Sequence, residues 1–452
     1  MSAPGAPRAP VPDADAAPAE RAARAVLHTL RAAGFRAYFA GGCVRDWLRG
    51  VHPTDFDVAT DASAEAVQEL FPRTVPVGAQ FGVVLVLAEG HPVEVASFRA
   101  DAEYRDGRRP VSVRPATPEE DARRRDFTIN GMFRDPESGA VLDFVGGQAD
   151  LAAQVIRAIG DPAARFQEDR LRMLRAVRLA AHLGYAIEPP TMAAIRAHAA
   201  EITDIAWERI GEEIVRILTE ADAPRGFALL DESGLLQHVL PEIAALKGVE
   251  QSPDFHPEGD VFIHTLLVLA QLRQPSETLA LGALLHDVAK PACAERRGER
   301  VTFYGHPEVG APRAVAVCQR LRRSRPVWER VEYLVRSHLR LVHAPQMRRS
   351  TLRRFLAEDG IDELLELARA DALASHGDLS AYQFCLDARA GLGDEPIKPP
   401  PLVRGRDLLA LGYPRGPLYT QILHAVEEKQ LEGELATPED ALAWVKAAYP
   451  LT

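Results

Sequence analysis

The sequence of 452 residues predicts an α+β protein, in which a small α/β head precedes an all-α body. Two observations support this prediction. Short apolar runs separated by glycine-containing turns occur between Ala37 and Phe98, whereas beyond about Ile159 apolar residues recur every three or four positions. A chain of this length, 47% hydrophobic and 26% charged, can bury more than one core, so two to four domains are expected.

The head is predicted to alternate helices and strands, with glycines closing several of the elements. A loop is expected over 101–121, where charged residues and prolines concentrate, and the stretch RRRDFTINGMF after it is expected to end in a helix. The expected elements before that loop are a helix over 22–33, a strand over 37–40, a helix from 43 to 49, a strand over 55–59, a helix over 63–71, and strands over 82–87 and 93–98.

The body shows helical apolar spacing almost throughout. Its first helices are expected over 166–183, 191–200, 207–219 and 225–233. A change in composition at 247–259 and the proline run near 395–401 predict two further boundaries. The predicted divisions are a disordered lead-in over 1–21, the head over 22–158, a helical region over 159–246, a second helical domain over 247–394, and a C-terminal helical region over 395–452.

Composition excludes several classes of protein. No run of eighteen apolar residues is present, and the N-terminal segment lacks the basic start and apolar core of a signal peptide, so a cytoplasmic location without membrane contact is expected. The four cysteines form no C-x-x-C pair, which argues against a disulfide framework or a structural zinc site. A net charge of −11 argues against non-specific coating of nucleic acid, so contacts with nucleic acid must be local.

The most informative stretch is AGGCVRDWLRGVHPTDFD. Asp55 and Asp57 stand two apart where a strand is predicted, so their carboxylates face the same way and could hold two divalent cations for an in-line phosphoryl displacement. Gly41 and Gly42 allow backbone amides to approach a triphosphate, and Arg45 adds a positive charge. Glu94, on a later predicted strand, could supply a third carboxylate.

Several motifs in order make a family resemblance specific. The segments are GGCVRD, TDFDVAT, VEVASFR, RRRDFTINGM, LDFVGGQADL and FQEDRLRMLRAVRLAAHLGY. Together they resemble the class II tRNA nucleotidyltransferase and bacterial poly(A) polymerase family over about residues 24–219. The resemblance implies a head similar to that of polymerase β, with Mg²⁺ held by Asp55 and Asp57 and with Glu94 as the third acid.

The resemblance also implies how the nucleotide is bound. Arg125, Asp126 and Asn130 would hold its ribose and triphosphate, and Asp169 and Arg172, three apart on one helical face, would read the base edge as a protein template for CTP or ATP. The partners implied are therefore tRNA, CTP and ATP. Arg175 and Arg178 continue that face, and together with ERIGEEI at 208–214 they would buttress the template helix or touch the tRNA acceptor stem.

A second set of residues has side chains suited to binding a metal ion. The stretch ALLHDVAKP presents an imidazole and a carboxylate together, with Lys290 one turn on within reach of a substrate phosphate. Together with His264 and Asp371, this stretch resembles the metal site of HD-domain phosphohydrolases. The expected ligands of a divalent transition metal are His264, His286, Asp287 and Asp371, with His306 and His338 at the positions of two more ligands in binuclear members. If active, the site would hydrolyse 2′,3′-cyclic phosphate ends of RNA or 2′-nucleotides.

The leading interpretation is an enzyme that adds CCA to tRNA 3′ ends and carries an HD domain. Relatives that add only the terminal A, only CC, or a poly(A) tail remain alternatives, as does a protein that is chiefly an HD phosphohydrolase. The loop over 101–123 is of full length, which argues against CC-only addition. A long basic C-terminal tail would favour poly(A) synthesis, and the sequence has no such tail.

Overall fold

The computed structural model describes residues 17–78, 82–101, 113–251, 259–298, 300–392, 396–397 and 399–451. The expected lead-in over 1–21 therefore lies mostly outside the described residues, as does most of the expected loop over 101–121. The chain divides into two compact units, of which the first ends at Pro241 and the second begins at Glu242. No helix in the described ranges is long and apolar enough to cross a membrane.

The head is built on one mixed sheet of seven strands in the order β3-β4-β5-β2-β1-β8-β9. Its elements are α1 Pro18–Ala32, β1 Ala37–Ala40, α2 Gly42–Leu48, β2 Asp57–Thr60, α3 Ala64–Leu70, β3 Thr74–Gly78, β4 Val83–Ala88, β5 His91–Ser97, β6 Arg99–Asp101, β7 Val113–Pro115, α4 Pro118–Arg124, a 3₁₀ turn Thr128–Asn130, β8 Met132–Arg134, β9 Val141–Asp143, α5 Gly147–Ala153 and β10 Val155–Ile156.

The register of the sheet brings the acidic residues together. β2 pairs with β1 in antiparallel fashion and with β5 in parallel, so Asp57 lies opposite Ala40 on one side and opposite Glu94 on the other. Ala40 ends β1 directly before the glycine pair. Buried Phe98 and Phe133 pack edge to face within the core of this region and hold β8 against β1.

The rest of the first unit is helical apart from a short strand that pairs with β10. Its elements are α6 Pro162–Glu168, α7 Leu171–Leu183, β11 Ala186–Ile187, α8 Pro189–His198, a 3₁₀ turn Ala199–Asp204, α9 Trp207–Glu220, α10 Ala223–Glu232 and α11 Leu236–Val239, after which α12 Pro241–Ala244 leads into the second unit.

The second unit is a helical body with one two-stranded sheet. Its elements are α13 Val261–Gln271, α14 Glu277–Leu285, α15 Lys290–Cys293, β12 Glu295–Arg297, β13 Arg300–Thr302, α16 His306–Arg320, α17 Arg325–Ser337, a 3₁₀ turn Arg340–Gln346, α18 Arg349–Leu356, α19 Ile361–Ala374, α20 Ser380–Ala390, α21 Gly405–Ala410, α22 Pro417–Glu432 and α23 Pro438–Ala448. The predicted α+β class, with a mixed-sheet head and a helical body, is confirmed.

Four local predictions were wrong. The expected loop over 101–121 contains strand β7 and the start of helix α4, which Thr117 caps. The strand expected over 55–59 begins only at Asp57, so Asp55 lies in the preceding loop. RRRDFTINGMF ends in strand β8, because Met132 and Phe133 pair with β9 in the sheet instead of continuing the 3₁₀ turn. The helix expected over 166–183 is two helices, and Asp169 lies at the break between them, where its side chain accepts a hydrogen bond from the amide of Leu171.

Candidate active site and metal centre

A cleft of about 680 Å³ opens on the first unit. All thirteen residues that the sequence nominated for nucleotidyl transfer line it: Gly41, Gly42, Arg45, Asp55, Asp57, Glu94, Arg125, Asp126, Asn130, Asp169, Arg172, Arg175 and Arg178. They come from strand ends, a glycine turn and α7, so the fold collects side chains that are more than 130 positions apart in the chain.

Three carboxylates mark one part of this cleft. Asp57 and Glu94 are register partners on adjacent parallel strands, and Asp55 precedes them in the loop. Asp57 stays open to the cleft, yet its enclosure there and then the charge of Glu94 raise its pKa to about 6. Clustered carboxylates of this kind repel one another, and a hard divalent cation such as Mg²⁺ prefers oxygen ligands, so the residues present fit that group.

The glycine turn faces the same carboxylates. Gly41 has φ +71, a conformation that favours glycine, and a Cβ there would lie 3.6 Å from Oδ2 of Asp57. Arg45, one helical turn later, donates from Nη1 to Oδ1 of Asn130 at 3.0 Å and pairs with Asp46. The backbone can therefore come close to a ligand held between the glycine turn and the acids.

The stretch Arg125 to Asn130 is held by its own side chains. Arg125 donates to Asp121 and to the carbonyl of Asn130, and its guanidinium lies over the ring of Phe133. Nδ2 of Asn130 donates to Asp126 at 3.3 Å. These bonds fix the donors of Arg125 and Asn130 at the cleft wall before any ligand arrives.

Asp126 links this stretch to helix α7. Its Oδ2 lies 2.8 Å from Nη2 of Arg175. Burial opposes the charged form, but the positive charges of Arg175 and Arg172 outweigh it and lower the pKa of Asp126. Asp126 is therefore an ionised structural anchor, which binds Arg175 and Asn130 and so holds two walls of the cleft together.

Asp169 and Arg172 do not lie on one helical face as the sequence predicted, because the helix breaks at Asp169. Both side chains nevertheless line the cleft. Asp169 receives a two-point contact from Arg209 of α9, with Nη1 to Oδ1 at 3.2 Å and Nη2 to Oδ2 at 2.9 Å. This fork orients the carboxylate from outside its own helix.

Arg172 is held just as firmly. Its Nη1 donates to Glu168 at 2.7 Å and to the carbonyl of Arg165 at 3.1 Å, and its Nη2 donates to the carbonyl of Arg124 at 3.0 Å. Arg178, further along α7, pairs with buried Glu213 of α9 at 2.6 Å. The expectation that ERIGEEI would buttress this face agrees with these contacts, since Arg209 and Glu213 both belong to it.

The second unit gathers the six residues expected to bind metal. Three of the histidines share one arrangement: Nδ1 contacts the carbonyl three residues earlier, at 2.8 Å for His286, 2.8 Å for His306 and 2.7 Å for His338. Such a contact places the proton on Nδ1 and leaves the Nε2 lone pair for a metal ion. Burial also lowers the pKa of His338 to about 3, which keeps its ring neutral.

Asp287 lies between two groups of these ligands. Its Oδ2 is 3.0 Å from Nε2 of His286 and 3.8 Å from that of His264, whereas its Oδ1 is 3.2 Å from Nε2 of His306 and 3.9 Å from that of His338. Asp371 completes the first group, with Oδ1 3.0 Å from Nε2 of His264. One carboxylate therefore faces two potential metal positions.

The contact between His306 and His338 supports the second position. Their Nε2 atoms lie 3.2 Å apart, although both carry lone pairs when Nδ1 holds the proton. Two nitrogens bound side by side to one cation at about 2.1 Å each would lie about 3 Å apart. In addition, Nε2 of His286, which carries a lone pair when Nδ1 holds the proton, lies 3.0 Å from Oδ2 of Asp287, which is also an acceptor. This donor set fits divalent transition metals.

Lys290 does not reach outward from this centre, as the sequence interpretation expected. It is 6% exposed, and its Nζ contacts Oδ2 of Asp287 at 2.7 Å and Oε1 of Gln251 at 2.6 Å. Lys290 is therefore buried, and its positive charge balances the negative charge of Asp287. Sequence reasoning missed Gln251, because it carries no ionisable group and precedes Lys290 by 39 positions.

Three family models match the chain. They are described as the poly A polymerase head domain over residues 37–157, the probable RNA and SrmB-binding site of polymerase A over 184–247, and the HD domain over 261–375. The two clusters of site residues fall in the first and third of these segments, except that Asp169 to Arg178 follow the first.

Relatives with curated descriptions are similar to the chain over different lengths. An A-adding tRNA nucleotidyltransferase of Deinococcus radiodurans is 35% identical over 432 residues, which cover 91% of this chain and 95% of the relative. A CCA-adding enzyme of Levilactobacillus brevis is 44% identical over 217 residues, or 48% of this chain and 54% of the relative. Similarity to this CCA-adding relative thus covers about half of its length.

A solved structure is similar over nearly the whole chain. The Bacillus stearothermophilus CCA-adding enzyme in complex with CTP superposes with a TM-score of 0.72 and 27% identity, covering 96% of this chain and 98% of that one. The similarity extends through both compact units.

Proposed function

The chain belongs to the tRNA nucleotidyltransferase family, and we propose that it adds CCA to the 3′ end of tRNA from CTP and ATP. The observation that carries the proposal is the single cleft that collects three carboxylates, a glycine turn and the Asp169–Arg172 pair. Such a cleft contains what nucleotidyl transfer needs: ligands for cations, donors for a triphosphate, and a fixed polar edge for a base.

In this proposal the 3′-hydroxyl of the tRNA attacks the α-phosphate of the nucleotide, and pyrophosphate leaves. Gly41, Gly42 and Arg45 bind the triphosphate, and Arg125 and Asn130 orient the triphosphate and ribose from the opposite wall. Asp55, Asp57 and Glu94 are the residues that would hold Mg²⁺. The bound ions would activate the hydroxyl and offset the charge that develops on the α-phosphate and pyrophosphate.

Asp169 and Arg172 select the base. A carboxylate accepts from an exocyclic amino group, which cytosine and adenine both carry on the pairing edge, and a guanidinium donates to the adjacent ring nitrogen or carbonyl. Uracil and guanine present a carbonyl oxygen at the corresponding position. That oxygen and the carboxylate of Asp169 are both acceptors, so they cannot form a hydrogen bond with each other. Arg175 and Arg178 support the helix on which Arg172 is mounted, through Asp126 and Glu213.

The test uses transcripts of one tRNA that end at the discriminator base, at C or at CC, each incubated with Mg²⁺ and with CTP, ATP or both. Sequencing of the new 3′ ends should show CCA completed from every start. The Asp57→Asn variant should lose more than about 100-fold in rate, since it removes a metal ligand. Asp61→Asn, at the end of β2 and paired with Arg36, is the matched control and should keep the rate.

Addition of the terminal A alone is the second candidate, because a relative that matches over 95% of its length is an A-adding enzyme. The same experiment separates the two functions. Extension of only the CC-ended transcript, and only with ATP, would assign the chain to A-addition. Extension of the other two transcripts by CTP would exclude that assignment.

We further propose that the HD centre of the second unit is a metal-dependent phosphohydrolase for 3′-terminal phosphates of RNA. His264, His286, Asp287 and Asp371 would hold one divalent transition metal, and His306 and His338 would hold a second beside Oδ1 of Asp287. A bound metal would supply a hydroxide nucleophile at neutral pH. Lys290 and Gln251 fix the orientation of Asp287 from beneath.

The HD proposal is tested with adenosine 2′,3′-cyclic phosphate and adenosine 2′-phosphate as substrates, in the presence of Ni²⁺, Mn²⁺, Co²⁺ or Zn²⁺. Release of a 3′- or 2′-nucleotide from the cyclic ester, or of phosphate from the monoester, should require one of these ions and should be lost in His286→Ala. The absence of hydrolysis with every ion would exclude the activity.

The division of labour along the chain is part of the proposal. Residues 22–158 would catalyse transfer, 159–246 would carry the template and bind RNA, 247–394 would form the HD domain, and 395–452 would contact tRNA. A tRNA substrate and the free state of all four cysteines agree with a cytoplasmic location.

A further inference from the structure

Many exposed apolar side chains lie close in the sequence to the HD ligands. The described residues include fifteen large hydrophobic side chains that are well exposed, and seven of them lie within four positions of an HD ligand: Ile263, Leu267, Tyr304, Val309, Leu339, Val342 and Leu373. Ile263 and Leu267 are one turn apart on α13 and lie on the same side of His264.

The centre opens to solvent on the side of two of its ligands. Asp371 is 22% exposed and His306 is 8% exposed, whereas the other four side chains are at most 2% exposed. A substrate phosphate must therefore enter past Asp371 and His306. The residues that flank these two ligands are placed to contact the rest of the substrate.

Tyr304 is the most exposed of the seven residues, at 73%. It lies two positions before His306, in a segment with fixed geometry. The carbonyl of Phe303 accepts from the backbone amide of His306 and contacts its Nδ1, the ring of Phe303 lies against Lys290, and Gly305 takes a left-handed conformation to begin α16. Phe303 therefore contacts two residues of the centre, His306 and Lys290, whereas Tyr304, the next residue in the chain, is exposed to solvent.

We propose that Tyr304 is a base-stacking platform for the nucleoside whose phosphate the HD centre binds. A phosphate at the two metal positions leaves the attached nucleoside near the rim, and base–aromatic stacking is available to every base because each has a π face. Val309, one turn after His306, extends the apolar surface beside it. The inference rests on the proposed phosphohydrolase function and assigns a positioning residue for the base of its substrate.

The test measures equilibrium binding as well as hydrolysis. In the full-length protein, Tyr304→Ala should weaken the dissociation constant of adenosine 2′-phosphate about five- to tenfold. Binding of ribose 5-phosphate, which has no base, should be unchanged, as should the bound metal measured by mass spectrometry. Tyr304→Phe should bind like the wild type, and Tyr304→Leu, which keeps an apolar side chain without a π face, should behave like Tyr304→Ala.

Two controls make the result specific. His286→Ala reports nucleotide binding that does not depend on the HD centre, and Leu409→Ala removes an equally accessible apolar side chain from α21. Unchanged adenosine 2′-phosphate binding in Tyr304→Ala would overturn the proposal, as would equal weakening for ribose 5-phosphate. The comparison of the two ligands measures binding and does not require turnover. Failure of the wild type to hydrolyse any phosphoester would therefore refute the phosphohydrolase function without deciding the role of Tyr304 in binding.

Discussion

At the scale of single residues, Asp169 depends on a partner forty positions later in the chain. Arg209 holds both carboxylate oxygens, and nothing else in the described structure contacts them in this two-point manner. We predict that Arg209→Ala lowers kcat/KM for CTP and ATP by about 10- to 100-fold, the usual cost of losing a partner that orients a functional group. Misincorporation of UTP and GTP should rise, because Asp169 can then turn away.

Steady-state kinetics with each of the four nucleotides measures this effect. Arg196→Ala is the control, since Arg196 pairs with Glu232 on the surface with both side chains more than half exposed. An Arg209→Ala variant that loses rate equally for all four nucleotides, with unchanged selectivity, would show that Arg209 supports the fold and not the reading of the base.

Three glycines should respond to alanine in a graded way. A Cβ at Gly147 would lie 2.3 Å from the carbonyl oxygen of Thr128, which cannot move without the 3₁₀ turn. At Gly131 it would meet side-chain atoms, the nearest being Cγ2 of Val145 at 2.7 Å, and at Gly416 it would meet nothing within 4 Å. We predict destabilisation of about 3 kcal/mol for Gly147→Ala, about 1 to 2 for Gly131→Ala and under about 0.5 for Gly416→Ala.

Thermal and urea unfolding of the three variants check this order. If Gly147→Ala is no less stable than Gly416→Ala, the close approach of α5 to the Thr128–Asn130 turn is not rigid. Nucleotide binding should weaken with Gly147→Ala as well, because that turn carries Asn130.

The residues of the site were predictable to different degrees. Asp55, Asp57 and Glu94 could be nominated because a metal site needs charged ligands at strand spacing. Arg209 and Gln251 could not be assigned their partners, because the contacts with Asp169 and Lys290 depend on how distant elements pack. Sequence shows which groups have useful chemistry, and tertiary contacts decide which of them meet.

At the scale of elements, the turn between β8 and β9 is fastened by Asp135. It accepts from the amides of Glu137 and Ser138 and pairs with Arg31 of α1. Burial opposes the charged form, but the bonds from Arg31 and from the two amides outweigh it and lower the pKa of Asp135 to about 2. Since the folded pKa lies below the unfolded value, this carboxylate stabilises the fold above about pH 4 and ceases to do so as the pH falls through about 2.

We therefore predict that Asp135→Asn lowers the free energy of unfolding by about 1 to 2 kcal/mol at neutral pH, allowing for partial solvent screening. The difference from the wild type should stay constant from pH 7 to about 5 and close between about pH 4 and 2. Urea unfolding at a series of pH values measures it. A difference that persisted at the acid end would mean that the side chain acts by packing and not by charge.

The elements themselves follow the sequence where local signals agree. Strand β1 is found at the predicted residues 37–40, because a short apolar run ends at the glycine pair. The break at Asp169 was missed, because the apolar spacing of 166–183 continues through it and only the cap formed by Asp169 interrupts the backbone. The strand at Met132 was missed because its pairing with β1 and β9 is a property of the sheet.

At the scale of the whole molecule, the sequence predicted that an α/β head precedes a helical body. Short apolar runs mark the strands of the head, and apolar residues every three or four positions mark the helices of the body. The placement of helices around the HD ligands depended on the resemblance, since His264 and Asp371 are 107 positions apart and no local pattern joins them. The two reactive centres lie in different compact units, one before Pro241 and one after Glu242.

This separation predicts independent loss of the two activities. Asp57→Asn should abolish nucleotidyl transfer and leave hydrolysis of the cyclic phosphate within about twofold, whereas His286→Ala should do the reverse. The metals should divide in the same way, because the three acids of the head offer oxygen ligands and the HD centre offers four imidazoles. Mg²⁺ should therefore restore transfer to chelator-treated enzyme without restoring hydrolysis, and a transition metal should restore hydrolysis.

Metal content provides the sharper version of this prediction, since it does not depend on turnover. Wild-type enzyme that is loaded with a transition metal and then desalted should retain about two ions per chain. The His338→Ala variant should retain about one, because the substitution removes a ligand from the group at Oδ1 of Asp287 and leaves the group at Oδ2 complete. Asp287→Asn should lose both ions, because that carboxylate is common to the two groups. If the wild type and His338→Ala each retain one ion, His306 and His338 serve the fold and bind no metal. The close contact of their Nε2 atoms would then require a proton shared between the two rings.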